Sequence, residues 1–403
     1  MPPRAQTLSR PRPTSGAASK PQPDSPYAGR LARLRDSVAA AGVSHLLITH
    51  AKDVAYLTGF LGGDSYLLVP AGAGRRGQGG VNGGKRGGGR AVLLSDFRYQ
   101  EELEPVSAAG LADIFIRPRS MLEAVVEVCR GSKVERLGIQ AEHMTVALRH
   151  AVEGKLSLGP LVETTGLVSR LRLFKDADEV RLITKAVRIQ EAALEAVLPT
   201  IEPGQTELEV AGRLEAEMKA RGSSEPGFPT IIAAGAHGSL PHYRPGPAKI
   251  ASGKPLLIDW GAVYRGYHSD MTRTFAIGRW NKKVREIYAI VLEAQESAAA
   301  ALAPGKTTAE IDAIARDHIR RAGYGDYFGH GLGHGFGLEG KEEPYLTNML
   351  APSVLEPGQI VTVEPGIYLP GVGGVRIEDD YVITEKGAKN LCSLPKNLDW
   401  ASR

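Results

Sequence analysis

The chain has 403 residues, a formal net charge of +4 and two cysteines. That length supplies two domains of ordinary size, the charge is too small for a nucleic-acid footprint, and two cysteines without C-x-x-C spacing exclude a disulfide framework and fit a reducing, cytoplasmic setting. No run approaches the roughly 18 apolar residues of a membrane-spanning helix.

Residues 1–26 are rich in Pro, Ser and basic side chains and lack the hydrophobic stretch of a secretory signal, so they read as a disordered tail. A helix is expected over 26–41, with Leu31, Leu34 and Val38 on one face and Gly42 as its stop. The strand-like runs HLLIT, SYLLV and AVLLSD follow. Alternation of helices and strands to about residue 165 predicts a small α/β domain over 27–168. Residues 71–90, half glycine with five basic side chains, separate two of the strands and read as an overgrown hairpin loop. Such length costs little, because loop-closure entropy grows only logarithmically. The loop lacks the aromatics of a nucleic-acid tether and contains no GxxxxGK[ST] phosphate loop.

A boundary near 166–176 opens a second domain over 169–403. Asp176 and Glu179 have capping-box spacing at the head of a long helix, and a second helix follows at 206–221. Strands are expected around 228–233, 255–260 and 267–277. The same order then recurs, with helices at 281–302 and 307–322 and strands near 328–338, 360–364 and 374–384. The helix junctions IEPGQTELE (201–209) and LAPGKTTAE (302–310) match, which indicates an internal duplication with a pseudo-two-fold axis.

Five metal-type side chains end or interrupt apolar strand-like runs in this domain: Asp259, Asp270, His334, Glu364 and Glu378. Four carboxylates in one cavity repel severely unless cations lie between them. Two divalent ions would balance the four carboxylates with a neutral His, and the implied chemistry is hydrolysis by a metal-bridged water. An oxygen-rich set with one imidazole suits Mn(II), Co(II) or Zn(II). Period-two alternation places His268, Asp270 and Thr272 on one face, and Arg376, Glu378 and Asp380 on another. The run GHGLGHGFG has glycine at alternate positions from 329 to 337. As an extended strand it would put His330 and His334 on one face, roughly 13 Å apart, with bare backbone on the other. His334 then reads as the ligand and His330 as a cleft residue serving substrate or transition state. His242, in the loop GSLPHYRPG, is a candidate for the cleft rim.

Together YLTGF, SDFRYQEE, GAHGSLPHY, LLIDWGA, GYHSDMTRTF, GHGLGHGFGLE, VEPGIY and GGVRIEDDYVIT resemble the two-domain pita-bread metallopeptidases of the aminopeptidase P and prolidase (Xaa-Pro dipeptidase) branch. The resemblance spans about residues 27–400. It implies a creatinase-like α/β N-terminal domain capping the cleft, then an α+β pita-bread catalytic domain built by pseudo-two-fold duplication. It also implies a homodimer or larger assembly and two divalent ions, Mn(II) first, then Co(II) or Zn(II), while the small charge and the lack of a long apolar run leave no nucleic-acid or membrane partner expected. The activity would be hydrolysis of Xaa-Pro bonds in short peptides by a metal-bridged hydroxide.

Residue by residue, the resemblance makes Asp259 a ligand of one ion, His334 and Glu364 ligands of the other, and Asp270 and Glu378 bridges between them. Glu364 would also carry the proton from the attacking water to the leaving proline nitrogen. His330 would bind substrate and steady the tetrahedral intermediate, His242 would line the proline pocket, and Arg376 would support a ligand carboxylate. One position departs from the pattern. Seven residues after His334, where the family carries a catalytic His, this chain has Lys341, a longer and less pre-oriented donor. That substitution opens two alternatives: Lys341 serves as the oxyanion donor, or the scaffold is weakened and repurposed for binding. A metal-free hydrolase of the creatinase kind is disfavoured, because that chemistry has no use for four clustered carboxylates.

Overall fold

A computed structural model of the chain describes residues 25–72 and 89–403, so the tail before Ser25 and the interior of the Gly/Arg-rich insertion lie outside the described residues. The chain divides into two compact units between Leu167 and Val168.

The first unit runs α1 (Pro26–Ala40), β1 (His45–Ile48), α2 (Ala51–Thr58), β2 (Tyr66–Pro70), β3 (Ala91–Ser95), α3 (Glu104–Ala108), β4 (Ala112–Ile116), α4 (Met121–Gly131), β5 (Leu137–Gln140), α5 (Val146–Lys155) and β6 (Val162–Thr164). Pro26 starts α1 with its φ already fixed, and Leu31, Leu34 and Val38 are buried along one stripe. The strands form one sheet in the order β4-β3-β2-β1-β5-β6. Its β1–β5, β5–β6 and β3–β4 pairs are parallel, which makes this the α/β layer expected. β2 and β3 pair antiparallel with Leu67 opposite Leu93, so the insertion does join the two arms of a hairpin.

The second unit opens with α6 (Ser169–Arg172), α7 (Ala177–Val197), α8 (Glu207–Ala220), β7 (Ile231–Ala234), β8 (Pro255–Trp260), β9 (Val263–Tyr264), β10 (Tyr267–His268) and β11 (Met271–Ala276). It continues with α9 (Lys282–Ala300), α10 (Thr308–Arg321), β12 (Gly333–Gly335), β13 (Glu342–Leu346), β14 (Ile360–Val363), β15 (Gly366–Leu369), β16 (Gly373–Arg376), β17 (Asp379–Thr384) and β18 (Gly387–Asn390). Asp176 caps α7 through a complete capping box with Glu179.

The duplication is legible in single hydrogen bonds. Thr206 and Thr307 cap α8 and α10 with matching boxes to Glu209 and Glu310. Gly204 N donates to Ile250 O and Gly305 N to Leu355 O, each at 2.9 Å. The returns also match, Ile250 N to Gln205 O at 2.9 Å and Leu355 N to Lys306 O at 2.8 Å. Both glycines have positive φ, 97° and 84°, a conformation that glycine adopts without strain. The β8–β11 and β14–β17 antiparallel pairs are the corresponding strands of the two halves.

Three strand expectations are corrected, since residues 374–384 also divide, into β16 paired with β15 and β17 paired with β14, with Ile377 and Glu378 between them. Residues 267–277 do not form one strand. The chain breaks at Ser269–Asp270 between β10 and β11, and His268 Nδ1 lies 3.2 Å from Gly337 O rather than on the face of Asp270. Residues 328–338 are not one strand either: only 333–335 pair, and the chain bends before them. The glycine face of that run is not bare. A Cβ on Gly333 would lie 2.0 Å from Thr362 O, and one on Gly335 would lie 2.2 Å from Glu343 O. Glycine is required there because the neighbouring backbones of β14 and β13 fill the space.

Candidate active site

Four of the five expected ligands sit at or beside strand ends, and the fifth, His334, lies within a three-residue strand. Asp259 is the fifth residue of β8, Asp270 precedes β11, Glu364 follows β14, Glu378 precedes β17 and His334 is the centre of β12. Strand ends aim these side chains at a common cleft while the buried strand interiors hold the backbone. The cleft has a volume of about 740 Å³, and all five line it together with His242, His330, Lys341 and Arg376. Its remaining wall is largely apolar, with Phe228, Ile231, Tyr345, Met349 and Leu350.

The Nδ1 of His334 lies 3.0 Å from Gly335 O, which can only accept, so the proton sits on Nδ1. That leaves the Nε2 lone pair 3.4 Å from Glu364 Oε1 and 3.7 Å from Asp270 Oδ2. Burial pushes the His334 pKa down to about 3, with the nearby charge of Lys341 adding to the shift. The ring is therefore neutral at physiological pH.

The carboxylates are moved the opposite way. Burial, then repulsion from Glu378, Asp259 and Glu364, holds Asp270 well above the usual carboxylate range. Burial, then Glu364 and Asp259, does the same to Glu378. Asp259 is also raised by burial, although Arg376 works against the shift. Burial pushes Glu364 up to about 7. Buried, like-charged carboxylates facing a neutral imidazole lone pair call for cations. The donor set suits borderline divalent cations: one ligand atom each from Asp270, His334 and Glu378 lies within 4.8 Å of the others. Asp259 Oδ1, in addition, is buried with no hydrogen-bond partner among the described residues.

Arg376, expected to support a ligand carboxylate, holds this arrangement together with Tyr368, Thr272 and Thr362, none of which carries a sequence signal for that role. Arg376 Nη2 donates to Asp259 Oδ2, Nε to Thr272 Oγ1 at 2.9 Å and Nη1 to the Tyr368 hydroxyl at 2.9 Å. Burial works to lower the pKa of this guanidinium, but Tyr368, Asp259, Glu364 and Glu378 keep it charged. Thr272 Oγ1 in turn donates to Glu378 Oε2 at 2.6 Å, and Thr362 Oγ1 to Glu364 Oε1 at 3.3 Å.

His330 lines the cleft with both ring nitrogens engaged. Its Nδ1 faces Gly331 O at 2.8 Å, so Nε2, 2.8 Å from the Tyr368 hydroxyl, accepts from it. Contact between Nε2 and a substrate therefore requires the Tyr368 bond to give way. The backbone around His330 is fixed from α10: Arg316, paired with buried Asp312, donates to Phe328 O at 3.0 Å and His330 O at 2.7 Å. Asp312 Oδ1 also accepts from Leu332 N at 3.1 Å.

An equivalent clamp acts from α8 on the loop of His242. The fully buried Glu207 accepts from Ala234 N, Gly246 N and the Tyr243 hydroxyl at 2.8, 3.1 and 2.8 Å, and its Oε1 is 2.8 Å from His237 Nδ1. Lys341 immediately precedes β13. Its neighbour Glu342 is pinned by Arg172 and by the buried Lys175, but no hydrogen bond fixes the Lys341 ammonium itself among the described residues.

The model of metallopeptidase family M24 matches residues 181–385, and that of the creatinase/prolidase N-terminal domain matches residues 30–174. The chain is 39% identical over 314 residues to the Xaa-Pro dipeptidase of Pyrococcus furiosus, which covers 77% of this chain and 89% of that protein. Among solved structures, an Xaa-Pro dipeptidase from Bacillus anthracis superposes with a TM-score of 0.84 at 36% identity, covering 92% of this chain and 99% of that one. An X-Pro aminopeptidase from Thermotoga maritima superposes with a TM-score of 0.80 at 31% identity, covering 91% and 98%.

Proposed function

Because the chain belongs to metallopeptidase family M24, we propose that it is a dinuclear metal-dependent exopeptidase that hydrolyses Xaa-Pro bonds in short peptides. The observation that carries this reading is the convergence of four carboxylates and the His334 Nε2 lone pair on one cleft, with Asp259 Oδ1 lacking a protein partner among the described residues. Asp259 would hold one ion, His334 and Glu364 the other, and Asp270 and Glu378 both. Mn(II) is the first choice, with Co(II) and Zn(II) as alternatives. Ions bound there supply a water that is nucleophilic at neutral pH and polarise the scissile carbonyl.

The chain's own residues do the remaining work. Glu364 accepts the proton of the attacking water and delivers it to the proline nitrogen, which must be protonated to leave. Lys341 donates to the oxygen that gains charge. His242 lines the proline side of the cleft, and His330 contacts the substrate once Tyr368 releases it. Arg376 keeps Asp259 in its ligating orientation. The named relatives include dipeptidases and an aminopeptidase, which supports short proline-containing peptides as the substrate class.

We take the working unit to be a cytoplasmic homodimer. Both cysteines are free, which supports a reducing setting, and no helix among the described residues is long and apolar enough to cross a membrane.

The test is metal analysis of protein purified without chelator, then assays on Xaa-Pro dipeptides and Xaa-Pro-Yaa tripeptides. Absence of bound Mn, Co or Zn, with no rescue on adding them, contradicts the reading. A second reading, a binding protein on the same scaffold, is favoured by the unrestrained ammonium of Lys341. Peptide binding without turnover in the metal-loaded chain would select it.

A further inference from the structure

We propose that the first unit carries its own site for a borderline divalent cation such as Zn(II), held by His50, Asp53 and His143. These residues lie outside the M24 cleft, whose lining comes entirely from the second unit. The two histidines follow the carboxyl ends of adjacent parallel strands. β1 ends at Ile48, β5 ends at Gln140, and Leu47 pairs with Ile139. The crevice beyond the carboxyl ends of such strands is where α/β sheets place ligands. His50 is the N-cap of α2 and Asp53 lies in its first turn, so the spacing of three brings both side chains to one side of the helix.

The carboxylate is the fixed centre of the cluster. Asp53 has a side chain only 2% exposed, and its Oδ2 lies 3.5 Å from His50 Nδ1 and 4.0 Å from His143 Nε2. One ligand atom from each residue lies within 4.8 Å of the others. Two ligands bound to one tetrahedral zinc at about 2.1 Å stand about 3.4 Å apart. The His50–Asp53 spacing already has that value, and His143 must close the rest.

The present stacking shows how it would move. The His50 and His143 rings lie 3.8 Å apart and 4° from parallel. Lone pairs in the planes of parallel rings do not converge, so His143 must turn out of the stack to bind. It is the least buried member of the cluster, with a side chain 27% exposed in the turn between β5 and α5.

Gln140 supports the ligands from behind. Its Nε2 donates to Asp53 Oδ2 at 2.6 Å, while its Oε1 accepts from Thr49 N and His50 N at 3.0 and 3.2 Å. One amide thus orients the carboxylate and the backbone of the first histidine, the kind of outer contact that aligns metal ligands. Two imidazoles and one carboxylate select Zn(II), Co(II) or Ni(II) over Mg(II) or Ca(II), with water completing the shell. The ion would clamp the start of α2 to the β5–α5 turn and so stabilise the first unit.

The test is calorimetric zinc titration and metal content of the full chain at neutral pH, in a background carrying Asp270→Asn and Glu378→Gln to disable the M24 cleft. Addition of His143→Ala to that background is expected to remove one equivalent of zinc and the zinc-dependent rise in Tm, with an unchanged far-UV circular dichroism spectrum. Equal zinc binding with and without His143 overturns the proposal, as does a background chain that binds none. Since both chains lack a working cleft, failure of the M24 reading leaves this difference untouched. That reading is tested separately, by zinc lost between the wild-type chain and the background.

Discussion

Arg376 and Asp259 form a hydrogen-bonded ion pair across the two halves of the duplicated unit, joining β16 to β8. The pair occupies Oδ2 of the carboxylate and leaves Oδ1 buried without a partner among the described residues. Replacement by Met should let Asp259 rotate, because no other cationic side chain is hydrogen-bonded to it among the described residues. We expect Arg376→Met to weaken metal binding by about 10- to 100-fold, measured by titration with Mn(II). Arg376→Lys should not restore it, since one ammonium cannot reach Asp259, Thr272 and Tyr368 together.

Lys341 separates two accounts of the oxyanion. As the donor to the charged oxygen, its replacement by Met should lower kcat by about 100-fold or more while metal content stays constant. Lys341→His should preserve or raise turnover. A fall in kcat with the His variant would mark the lysine as an adapted group whose reach or charge the reaction needs.

The cation-free chain should become less stable as pH rises. Glu364 is raised from 4.5 to about 7 in the folded protein, so the folded state holds its proton over a window in which the unfolded chain has lost it. Stability from that proton is fully present below pH 4.5 and is lost as pH climbs through about 7. From Glu364 alone, each pH unit inside the window costs about 1.4 kcal/mol at most. Thermal melts of chelated protein between pH 6.5 and 7.5, above the range in which the depressed pKa values of His334 and His330 make stability rise with pH, should show Tm falling, and two equivalents of metal should cancel the fall. A Tm rising with pH over that range in the chelated protein would contradict the charge picture of the cleft.

Glu207 and Asp312 should act on substrate binding through the loops they hold. Glu207→Ala strands buried donors around the His242 loop, each costing about 1–3 kcal/mol, so a lower Tm is expected. Among variants that stay folded, Glu207→Gln and Asp312→Asn should raise KM more than they lower kcat. An equal loss in both would instead place these residues in support of the metal ligands.

Much of the second unit was readable because its signals are local. The capping box at Asp176, the repeated Pro-Gly junctions at 203–204 and 304–305, and carboxylates at the ends of apolar runs all lie within a few residues of what they determine. The bends at Ser269–Asp270 and before Gly333 were not readable, because close packing against distant backbone decides them: Gly333 abuts Thr362 and Gly335 abuts Glu343. Tyr368, Thr272, Glu207 and Asp312 escaped for the same reason. Their partners lie 8 to 106 residues away for the first two, and 20 to 39 for the clamps on the loops. Glu207 looks in sequence like one more acidic residue in the first turn of a helix, and only the fold shows that it is fully buried.

The most direct test of the account is the rate of hydrolysis of an Xaa-Pro dipeptide and an Xaa-Pro-Yaa tripeptide as Mn(II) is titrated into chelated, desalted protein. No turnover is expected without metal, and turnover should appear as two ions bind the M24 cleft, for at least one of the two peptides. No recovery is expected in Asp270→Ala, in which both ions lose a shared ligand. Full occupancy of the cleft by two ions with neither peptide hydrolysed, or hydrolysis indifferent to chelation, would contradict the account.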